Sequence, residues 1–478
     1  MARRIVAAVA PVKVDNALVA GNAAVLAQRL ADLGCDANSR VAVYCANGLE
    51  FIIARAAIAR LGAVAVPVNP KLAAAEVRYV LEHSAAAAVL VDAGRQSRAD
   101  DVATVPVAVV AVDPSATTAA PDHAAVGATL IYTSGTTGLP KGCMRLESQE
   151  LARARELIDT YSLSRNDVHL IACPLAHSAP GIFLRAGRLV DATTYIMERF
   201  RAEEFLQAVE QTRATFFFLV PTQYARMLAL PDHVRARYDT SSIRAALVAG
   251  APITPGNKQR IVHWLGPGKL WEFYGSSETG TVAVLPPAEQ LSRIGSVGQP
   301  PPSVELNLRT EQGEPVATGG VGEIFVRSPT LMDGYIDQPV TNRDGFISVG
   351  DLGKVDDDGY LYLVDRKHDT IISGGLNVYP AEVERALHDH DAVTGAVVFG
   401  VQDADWGQIV AAAVAVDDSE ITGAALREFL RDKIAPYKLP KAIALVAQDE
   451  LPIGASGKPL RRAARELLAG NQRLVRCD

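Results

Sequence analysis

Residues 132–142 read Tyr132-Thr-Ser-Gly-Thr-Thr-Gly-Leu-Pro-Lys-Gly142, a stretch suited to wrapping the main chain around phosphate. It combines hydroxyl donors with glycines, which let the backbone turn and approach an anion closely, and it ends in one positive charge. The residues concerned are Thr133, Ser134, Gly135, Thr136, Thr137, Gly138 and Lys141. The preceding residues are apolar and β-prone, so the loop follows a strand. The stretch predicts a phosphate-binding loop, and Pro140 excludes a Walker A loop, which needs glycine there.

The same stretch resembles, nearly letter for letter, the phosphate loop of the adenylate-forming superfamily. That superfamily contains the acyl- and aryl-CoA synthetases, the adenylation domains of nonribosomal peptide synthetases and the firefly luciferases. The resemblance implies that the loop binds ATP. It extends over essentially the whole chain, from Asn47-Gly-Leu-Glu50 to Arg462, and the other motifs of such an enzyme follow in the same order.

The composition is that of an ordinary globular protein long enough for several domains, with 478 residues, 49% of them hydrophobic and 21% charged. The formal net charge of −7 argues against nucleic acid as the main partner. The five cysteines are scattered and odd in number, which favours reduced thiols in the cytoplasm over a disulfide framework. No charge-free apolar run of about 18 residues occurs, so no membrane-spanning helix is expected. The sequence leaves open whether the protein is a monomer or a homodimer.

Strand and helix patterns alternate over the first part of the chain, which predicts parallel sheets with helices on their faces. From about Gly295, short β-prone runs separated by Gly, Pro and Asp predict a small antiparallel sheet or barrel. The residues after Asp365 have a β-α-β texture and the length of a small domain. We therefore expect an α/β protein. Residues 1–365 would form a large N-terminal domain with two parallel-sheet α/β subdomains and a small β-barrel, and residues 366–478 a small, mobile α+β C-terminal domain, with a hinge at residues 365–369.

A second motif, Trp271-Glu-Phe-Tyr-Gly-Ser-Ser-Glu-Thr-Gly280, offers groups for the rest of a nucleotide. Tyr274 presents an aromatic face for a base, Ser277 a hydroxyl for phosphate, and Glu278 an oxygen ligand of the type that Mg²⁺ prefers. The motif resembles Tyr-Gly-x-Thr-Glu of the adenylate-forming superfamily, whose acidic residue holds the metal. Here Ser277 replaces the usual Thr and keeps the hydroxyl. The resemblance assigns to the nucleotide site Tyr274, Gly275, Ser276, Ser277 and Glu278, together with the upstream adenine-lining turn Gly250, Ala251 and Pro252.

Two further charged residues are candidates for ribose binding. Asp351 follows a strand, and an acidic residue in that position can accept both ribose hydroxyls. A lone Asp or Arg on a loop is ordinarily a solvated surface charge. The resemblance implies instead that Asp351 binds the ribose and that Arg366, at the junction between the two expected domains, also reaches it.

Lys458, in Leu451-Pro-Ile-Gly-Ala-Ser-Gly-Lys-Pro-Leu-Arg-Arg462, occupies the position of the family's catalytic lysine. The resemblance implies that it bridges the substrate carboxylate and the α-phosphate. The chemistry needs such a group, because a carboxylate that attacks a phosphate brings two negative groups together. Lys458 and Mg²⁺ would offset that repulsion, and the products would be pyrophosphate and an acyl-adenylate.

The acceptor of the acyl group is less well defined. Residues 371–384 resemble CoA ligases, the aryl-CoA ligases above all, and Gly374 and Gly375 would let the pantetheine arm of CoA pass close to the backbone. His368 stands where the family usually has Asp or Lys at the pivot between domains. The chain is short for a CoA ligase, and Cys143-Met-Arg-Leu-Glu147 departs from the usual residues after the phosphate loop. Transfer to a carrier protein, such as an acyl carrier protein, or to an amine therefore remains the alternative to CoA.

His177, in Pro174-Leu-Ala-His-Ser-Ala-Pro180, is the candidate residue for the acyl site. The segment resembles the one that places an aromatic residue or His over the carboxylate in the family. It lacks the Asp with which amino-acid-activating relatives pair the substrate ammonium, so a free amino acid is disfavoured. The expected substrate is an apolar carboxylic acid, aromatic or medium-chain. The Phe216-Phe-Phe218 run is interpreted as a buried strand.

Overall fold

A computed structural model describes residues 10–118, 127–133, 140–373, 376–403, 406–417, 420–454, 459–468 and 475–476. Helices and strands alternate up to residue 276, and the regular elements of the next ninety residues are strands apart from one short 3-10 helix. The helices are α1 (Asn16–Asp32), α2 (Leu49–Arg60), α3 (Ala74–His83), α4 (Gln96–Asp100), α5 (Glu147–Tyr161), α6 (Ser178–Leu189), α7 (Ala202–Thr212), α8 (Pro221–Leu228), α9 (Asp232–Arg235), α10 (Pro255–Leu265), α11 (Pro380–His388), α12 (Gly423–Leu430) and α13 (Arg461–Leu468).

The strands of the first two sheets are β1 (Val12–Lys13), β2 (Arg40–Tyr44), β3 (Val64–Pro67), β4 (Ala88–Val91), β5 (Val107–Val109), β6 (Thr129–Thr133), β7 (Lys141–Arg145), β8 (Val168–Ile171), β9 (Thr193–Ile196), β10 (Phe216–Leu219), β11 (Ala245–Val248), β12 (Leu270–Ser276) and β13 (Gly280–Leu285). The later strands are β14 (Glu305–Arg309), β15 (Gly322–Arg327), β16 (Gly334–Tyr335), β17 (Thr341–Arg343), β18 (Phe346–Ser348), β19 (Asp351–Val355), β20 (Leu361–Arg366), β21 (Ile371–Ser373), β22 (Leu376–Val378), β23 (Val393–Asp403), β24 (Gly407–Val416), β25 (Ala442–Val446) and β26 (Val475–Arg476).

Two seven-stranded sheets form the first part of the fold, and both are parallel in the middle with antiparallel strands at an edge. Sheet 1 has the order β16-β7-β6-β3-β2-β4-β5, and sheet 2 has the order β1-β9-β8-β10-β11-β12-β13. Central parallel strands are covered on both faces, and their amino-acid sequences are therefore continuous apolar runs. Phe216–Leu219 is such a run: its four side chains are buried, as the sequence predicted. The parallel α/β subdomains expected from the sequence are thus confirmed.

The ends of these elements follow from local sequence. Strand β10 ends at Leu219, because Val220 caps helix α8 and Pro221 occupies its first turn. Helix α2 begins at Leu49, directly after its N-cap residue Gly48. One apolar core joins the two sheets, since buried residues of α1, α2 and β2 pack with Ile171, Leu175 and Ile196 of the second subdomain.

Two smaller sheets complete the structure. Sheet 3 is antiparallel, with the order β17-β18-β15-β19-β20. Strand β14 pairs along one edge of β15, while β18 and β19 share the other edge, so the sheet folds around this strand. Sheet 4 has the order β22-β21-β24-β25-β26, with β23 also paired to β24, and carries α11 to α13. Within the described residues, no helix is both long and apolar enough to cross a membrane.

Candidate active site

The phosphate loop predicted from the sequence connects two antiparallel strands of sheet 1. Thr133, the last residue of β6, lies opposite Lys141, the first residue of β7, and we call this antiparallel β6–β7 pair the phosphate hairpin. The Thr133 hydroxyl donates a hydrogen bond to Oε1 of Glu278, 3.1 Å away. The hydroxyl of Tyr335, on β16 beside β7, donates to the same oxygen at 3.0 Å. The base of the phosphate hairpin and Glu278 are therefore held together.

The surroundings of the Glu278 carboxylate suit a metal ion. The carboxylate is buried, and the hydroxyls of Thr133 and Tyr335 that donate to it are neutral. Burial and the charge of Glu278 raise the pKa of Tyr335, so this hydroxyl stays protonated. Mg²⁺ commonly uses one or two carboxylates together with nucleotide phosphate oxygens. Among the described residues, no group of three or more His, Cys, Asp or Glu side chains is placed to hold a metal ion.

A tight turn fixes the position of Glu278. The Ser276 hydroxyl accepts hydrogen bonds from the backbone N–H groups of Glu278 (3.2 Å) and Thr279 (3.1 Å). A side chain at Gly275 would place its Cβ 2.1 Å from the carbonyl oxygen of Gly280, so the chain needs glycine there. The predicted nucleotide contact of Ser276 stays a prediction, because its hydroxyl already stabilises this turn. The carbonyl of the neighbouring Ser277 accepts a weak bond from the Cys143 thiol, 3.4 Å away.

The predicted ribose site is a second cluster. The Tyr274 hydroxyl donates to Oδ2 of Asp351 at 2.6 Å, and Nε of Arg366 lies 3.3 Å from Oδ1 of the same residue. Asp351 and Arg366 are opposite each other in the β19–β20 pair. Burial and the nearby Asp351 raise the pKa of Tyr274, so it remains a donor. Each carboxylate oxygen of Asp351 keeps a second lone pair with which it can accept from a ribose hydroxyl.

The predicted adenine-lining turn follows β11, and β11 pairs directly with β12, which carries Tyr274. Gly250 has φ +91°, in the left-handed region that favours glycine. Ala251, which follows it, is half-buried, and Pro252 is exposed. The turn and the tyrosine thus stand at the same ends of neighbouring strands, where a base between them is geometrically reasonable.

Two further predicted site residues, His177 and Lys141, are described by the structure. His177 immediately precedes α6, and its Nε2 is 3.4 Å from Nδ2 of Asn69. It lines a cavity between α2 and α6. The Lys141 ammonium lies 5.4 Å from the centre of the Tyr335 ring, at the end of the phosphate hairpin. The remaining predicted site residues lie outside the described residues: Ser134, Gly135, Thr136, Thr137, Gly138, Gly374, Gly375 and Lys458.

Sequence reasoning missed two residues of this site. Tyr335 bonds Glu278 from 57 positions away in the chain. Arg153 donates from Nη2 to the Glu278 carbonyl (3.3 Å) and from Nε to the carbonyl of Thr330 (2.7 Å). The sequence did not identify Arg153, because the pattern Leu-Ala-Arg-Ala-Arg-Glu in α5 is typical of a polar surface helix. The burial of the Arg153 side chain depends on the packing of sheet 3 against α5. Tyr335 belongs to a two-residue strand that no periodicity could reveal.

Comparisons with known proteins agree with this geometry. A family profile described as "AMP-binding enzyme" matches residues 19–336, and one described as "AMP-binding enzyme C-terminal domain" matches residues 382–458. A 2-succinylbenzoate–CoA ligase of Bacillus licheniformis is 35% identical over 448 residues, which cover 91% of each chain.

Two solved structures are similar over nearly the whole chain. The o-succinylbenzoate CoA synthetase of Bacillus subtilis in complex with its acyl-adenylate intermediate has a TM-score of 0.82 at 29% identity, and the match covers 94% of this chain and 92% of that one. The amide bond synthetase of Marinactinospora thermotolerans has a TM-score of 0.83 at 28% identity, with 94% of both chains covered. The chain therefore belongs to the AMP-binding enzyme family.

Proposed function

We propose that this protein is an ATP-dependent carboxylic acid–CoA ligase. It converts an apolar acid, aromatic or medium-chain, into an acyl-adenylate with release of pyrophosphate, and then transfers the acyl group to the thiol of CoA. The observation that carries this function is the connection of Glu278 to Thr133 at the base of the phosphate hairpin. It joins a carboxylate suited to Mg²⁺ to a loop suited to phosphate, beside the Tyr274–Asp351–Arg366 cluster suited to ribose.

The first half-reaction is an in-line attack of the substrate carboxylate on the α-phosphorus, which breaks the bond to the pyrophosphate oxygen. Asp351 and Arg366 orient the ribose, and the phosphate hairpin holds the triphosphate. Glu278 would hold Mg²⁺, which supplies positive charge for the phosphate oxygens. Lys458 would bring a second cation to the attacking carboxylate. His177, at the start of α6, would stand over that carboxylate.

The second half-reaction needs the two domains to move. Strand β20 ends at Arg366 within sheet 3, and β21 begins sheet 4 at Ile371, so the few residues between them are the connection between the two parts. This supports a boundary between residues 1–365 and 366–478, with His368 in the hinge. Rotation there would bring Gly374 and Gly375 to the site as the wall of a pantetheine tunnel, so that the thiol attacks the acyl carbon and AMP leaves.

A second candidate acceptor is an amine or a carrier-protein thiol. The similarity to an amide bond synthetase favours an amine, since that protein has a similar fold over 94% of its chain. Small-molecule acid, ATP and CoA are the partners of the preferred function, with no nucleic acid or membrane, in a monomer or homodimer. The four cysteines in the described part are free thiols, which supports a cytoplasmic location.

Pyrophosphate release tests the proposed function. The purified chain is given ATP, Mg²⁺ and a panel of aromatic and medium-chain acids, each with CoA, with an amine, or with neither. We expect acid-dependent pyrophosphate release and, with CoA, one acyl-CoA for each AMP. Adenylate formation without acyl-CoA for any acid would favour the amine or carrier-protein acceptor. Absence of acid-dependent pyrophosphate release would refute adenylation itself.

Obstruction of the expected tunnel separates the two half-reactions. In Gly375→Leu the side chain should block the thiol, so acyl-CoA formation is lost while acid-dependent adenylate formation persists. Gly256→Leu on α10 is the matched control, because a side chain there meets nothing within 4 Å. Equal loss of both half-reactions in Gly375→Leu alone would show that this glycine is structural.

A further inference from the structure

Helix α3 contacts the phosphate loop at both of its ends. The Tyr79 hydroxyl donates a hydrogen bond to the carbonyl of Pro140 at 3.1 Å, immediately before β7 begins. At the other end, Nδ1 of His83 lies 2.8 Å from the hydroxyl of Tyr132 in β6. Tyr79 and His83 are four positions apart and therefore lie on the same face of the helix. One face of α3 thus holds the chain both where it enters the loop and where it leaves it.

The His83 ring is itself fixed by two further contacts. Its Nε2 lies 3.0 Å from Oδ2 of Asp337, and the Tyr79 ring stacks on it with the ring centroids 5.0 Å apart. An ionised carboxylate only accepts hydrogen bonds, so Nε2 carries a proton, and in the neutral imidazole Nδ1 accepts from the Tyr132 hydroxyl. A hydrogen-bonded bridge therefore runs from Asp337 through His83 to the first strand of the phosphate hairpin.

Asp337 also connects this bridge to the Glu278 carboxylate. It stands two residues after Tyr335, whose hydroxyl donates to Oε1 of Glu278 at 3.0 Å. Between them, Ile336 donates its backbone N–H to the carbonyl of Gly142 at 3.1 Å. The Ile336 side chain lies where a Cβ at Gly142 would approach it to 3.1 Å, so a larger residue in the hairpin would crowd this contact. Three consecutive residues at β16 thus join α3, the phosphate hairpin and Glu278.

A carboxylate, an imidazole and a hydroxyl in one chain also occur in nucleophilic catalysis, where the imidazole activates the hydroxyl. That role does not fit Tyr132. Burial raises the pKa of the Tyr132 hydroxyl, and the nearby Tyr79 adds to the rise, whereas a nucleophile needs a lowered pKa or an easily removed proton. The hydroxyl stays protonated and acts as a hydrogen-bond donor. The contact between His83 and Tyr132 therefore positions the strand.

We propose that Tyr79 and His83 are positioning residues of the adenylation reaction, which hold the phosphate loop ready for the β- and γ-phosphates of ATP. This inference rests on the proposed acid–CoA ligase function and adds two residues of α3 to it. The α-phosphorus must face the attacking carboxylate, which leaves the β- and γ-phosphates for the loop.

The physical reason is the conformational entropy of the loop. A loop rich in glycine loses much backbone freedom when it closes around a triphosphate, and that loss lowers the affinity for ATP. Hydrogen bonds that fix both ends of the loop before ATP arrives remove part of the loss, as preorganisation does at other binding sites. The α3 contacts therefore act on the affinity for the triphosphate. They leave the ribose cluster of Tyr274, Asp351 and Arg366 untouched.

Removal of single hydrogen bonds tests the proposal by kinetics. Tyr79→Phe and His83→Phe keep an aromatic ring and lose the bonds to the two ends of the loop. We expect the KM for MgATP in pyrophosphate release to rise about five- to tenfold in each, as for the loss of one hydrogen bond. The KM for the acid, and the conversion of supplied acyl-adenylate to acyl-CoA, should not change, because neither involves the triphosphate. Tyr238→Phe, which loses an exposed hydrogen bond to Glu203, is the matched control and should keep the wild-type KM for MgATP.

A double-mutant cycle tests whether the His83–Tyr132 bond is the cause. If both residues act through that bond, His83→Phe and Tyr132→Phe together should raise the KM for MgATP no further than either substitution alone. Effects of the two substitutions that multiply in the double variant would contradict the bridge.

Calorimetric titration with MgATP and with AMP, in the absence of acid, keeps the test independent of catalysis. In Tyr79→Phe and His83→Phe the affinity for MgATP should fall by the same factor as the KM rises, and the affinity for AMP should stay at the wild-type value. If no acid releases pyrophosphate, the proposed function fails, while this titration still decides the role of α3. Unchanged MgATP affinity in both variants, equal losses for MgATP and AMP, or no binding of MgATP by wild type would each overturn the proposal.

Discussion

Glu278 and Glu150 are two buried glutamates with opposite surroundings. Glu278 accepts hydrogen bonds from the neutral hydroxyls of Thr133 and Tyr335. Glu150 is held by the guanidinium groups of Arg145 and Arg185. The first carboxylate is surrounded by neutral donors, which suits a metal ion, whereas the second is paired with arginines. The comparison shows that the neighbours of a carboxylate, more than its burial, decide what it binds.

A third carboxylate extends the comparison in the opposite sense. Glu384 on α11 lies with Asp365 and Asp369 around a single Arg461, whose Nη2 is 2.9 Å from Oε2 of Glu384 and whose Nη1 is 2.8 Å from Oδ2 of Asp369. Here the acidic groups are in excess. Burial, although opposed by Arg461, raises the pKa of Glu384 to about 7. This cluster lies at the connection between sheets 3 and 4.

The largest expected effect is a loss of stability when Glu150, the glutamate that lies among arginines, is replaced. Glu150→Gln leaves Arg145 and Arg185 without their buried counter-charge, and removal of one partner from a buried ion pair costs about 3–5 kcal/mol. We expect the free energy of unfolding, measured by denaturant titration, to fall by that order. Glu314→Gln, at an exposed position, should change it little. An unchanged free energy of unfolding in Glu150→Gln would show that Arg145 and Arg185 do not depend on Glu150 for their counter-charge.

Glu278→Gln should have nearly as large an effect, but on catalysis. The substitution keeps the shape and the hydrogen-bond acceptor for Thr133 and removes the charge that would hold Mg²⁺. We expect kcat for pyrophosphate release to fall about 100- to 1,000-fold, with a higher Mg²⁺ requirement and an unchanged thermal unfolding curve. Steady-state assays over a Mg²⁺ series check this. Wild-type activity and wild-type metal dependence in the variant would show that Glu278 does not hold Mg²⁺ and is only part of the turn.

The smallest expected effect is the pH dependence of stability at Glu384. Its pKa in the folded protein is raised above the usual value, so its protonated form stabilises the fold below about pH 4.5, and this contribution is lost as the pH rises through 7. Between pH 6 and 8 the loss should be about 1 kcal/mol. Glu384→Gln, which mimics the protonated form, should flatten the profile of unfolding temperature against pH in that window. A slope identical to that of wild type would contradict the raised pKa.

Much of the fold and of the nucleotide site could be predicted from the sequence, because their signals are local. The phosphate hairpin, the Tyr274-to-Glu278 turn and the parallel strands are each encoded in a few consecutive residues. Partnerships across long separations could not be predicted in this way. Tyr335 meets Glu278, and Arg55 meets the cluster around Glu150, only after sheets and helices pack.

The acyl site illustrates the same limit. The sequence predicts that His177 stands over the carboxylate of the substrate and that the rest of the acid is apolar. The arginines that surround the neighbouring cavity come from α2, β7 and α6, and each looks like a surface charge in its own helix or strand. Their shared burial is a property of the tertiary structure.

The fate of a labelled carboxylate oxygen tests the central claim most directly. When an acid labelled with ¹⁸O in its carboxylate is turned over with ATP, Mg²⁺ and CoA, attack at the α-phosphorus followed by departure of AMP leaves one labelled oxygen in AMP. Mass spectrometry of the products should therefore find ¹⁸O in AMP and none in pyrophosphate. Label in orthophosphate with formation of ADP, or unlabelled AMP beside acyl-CoA, would contradict activation through an acyl-adenylate.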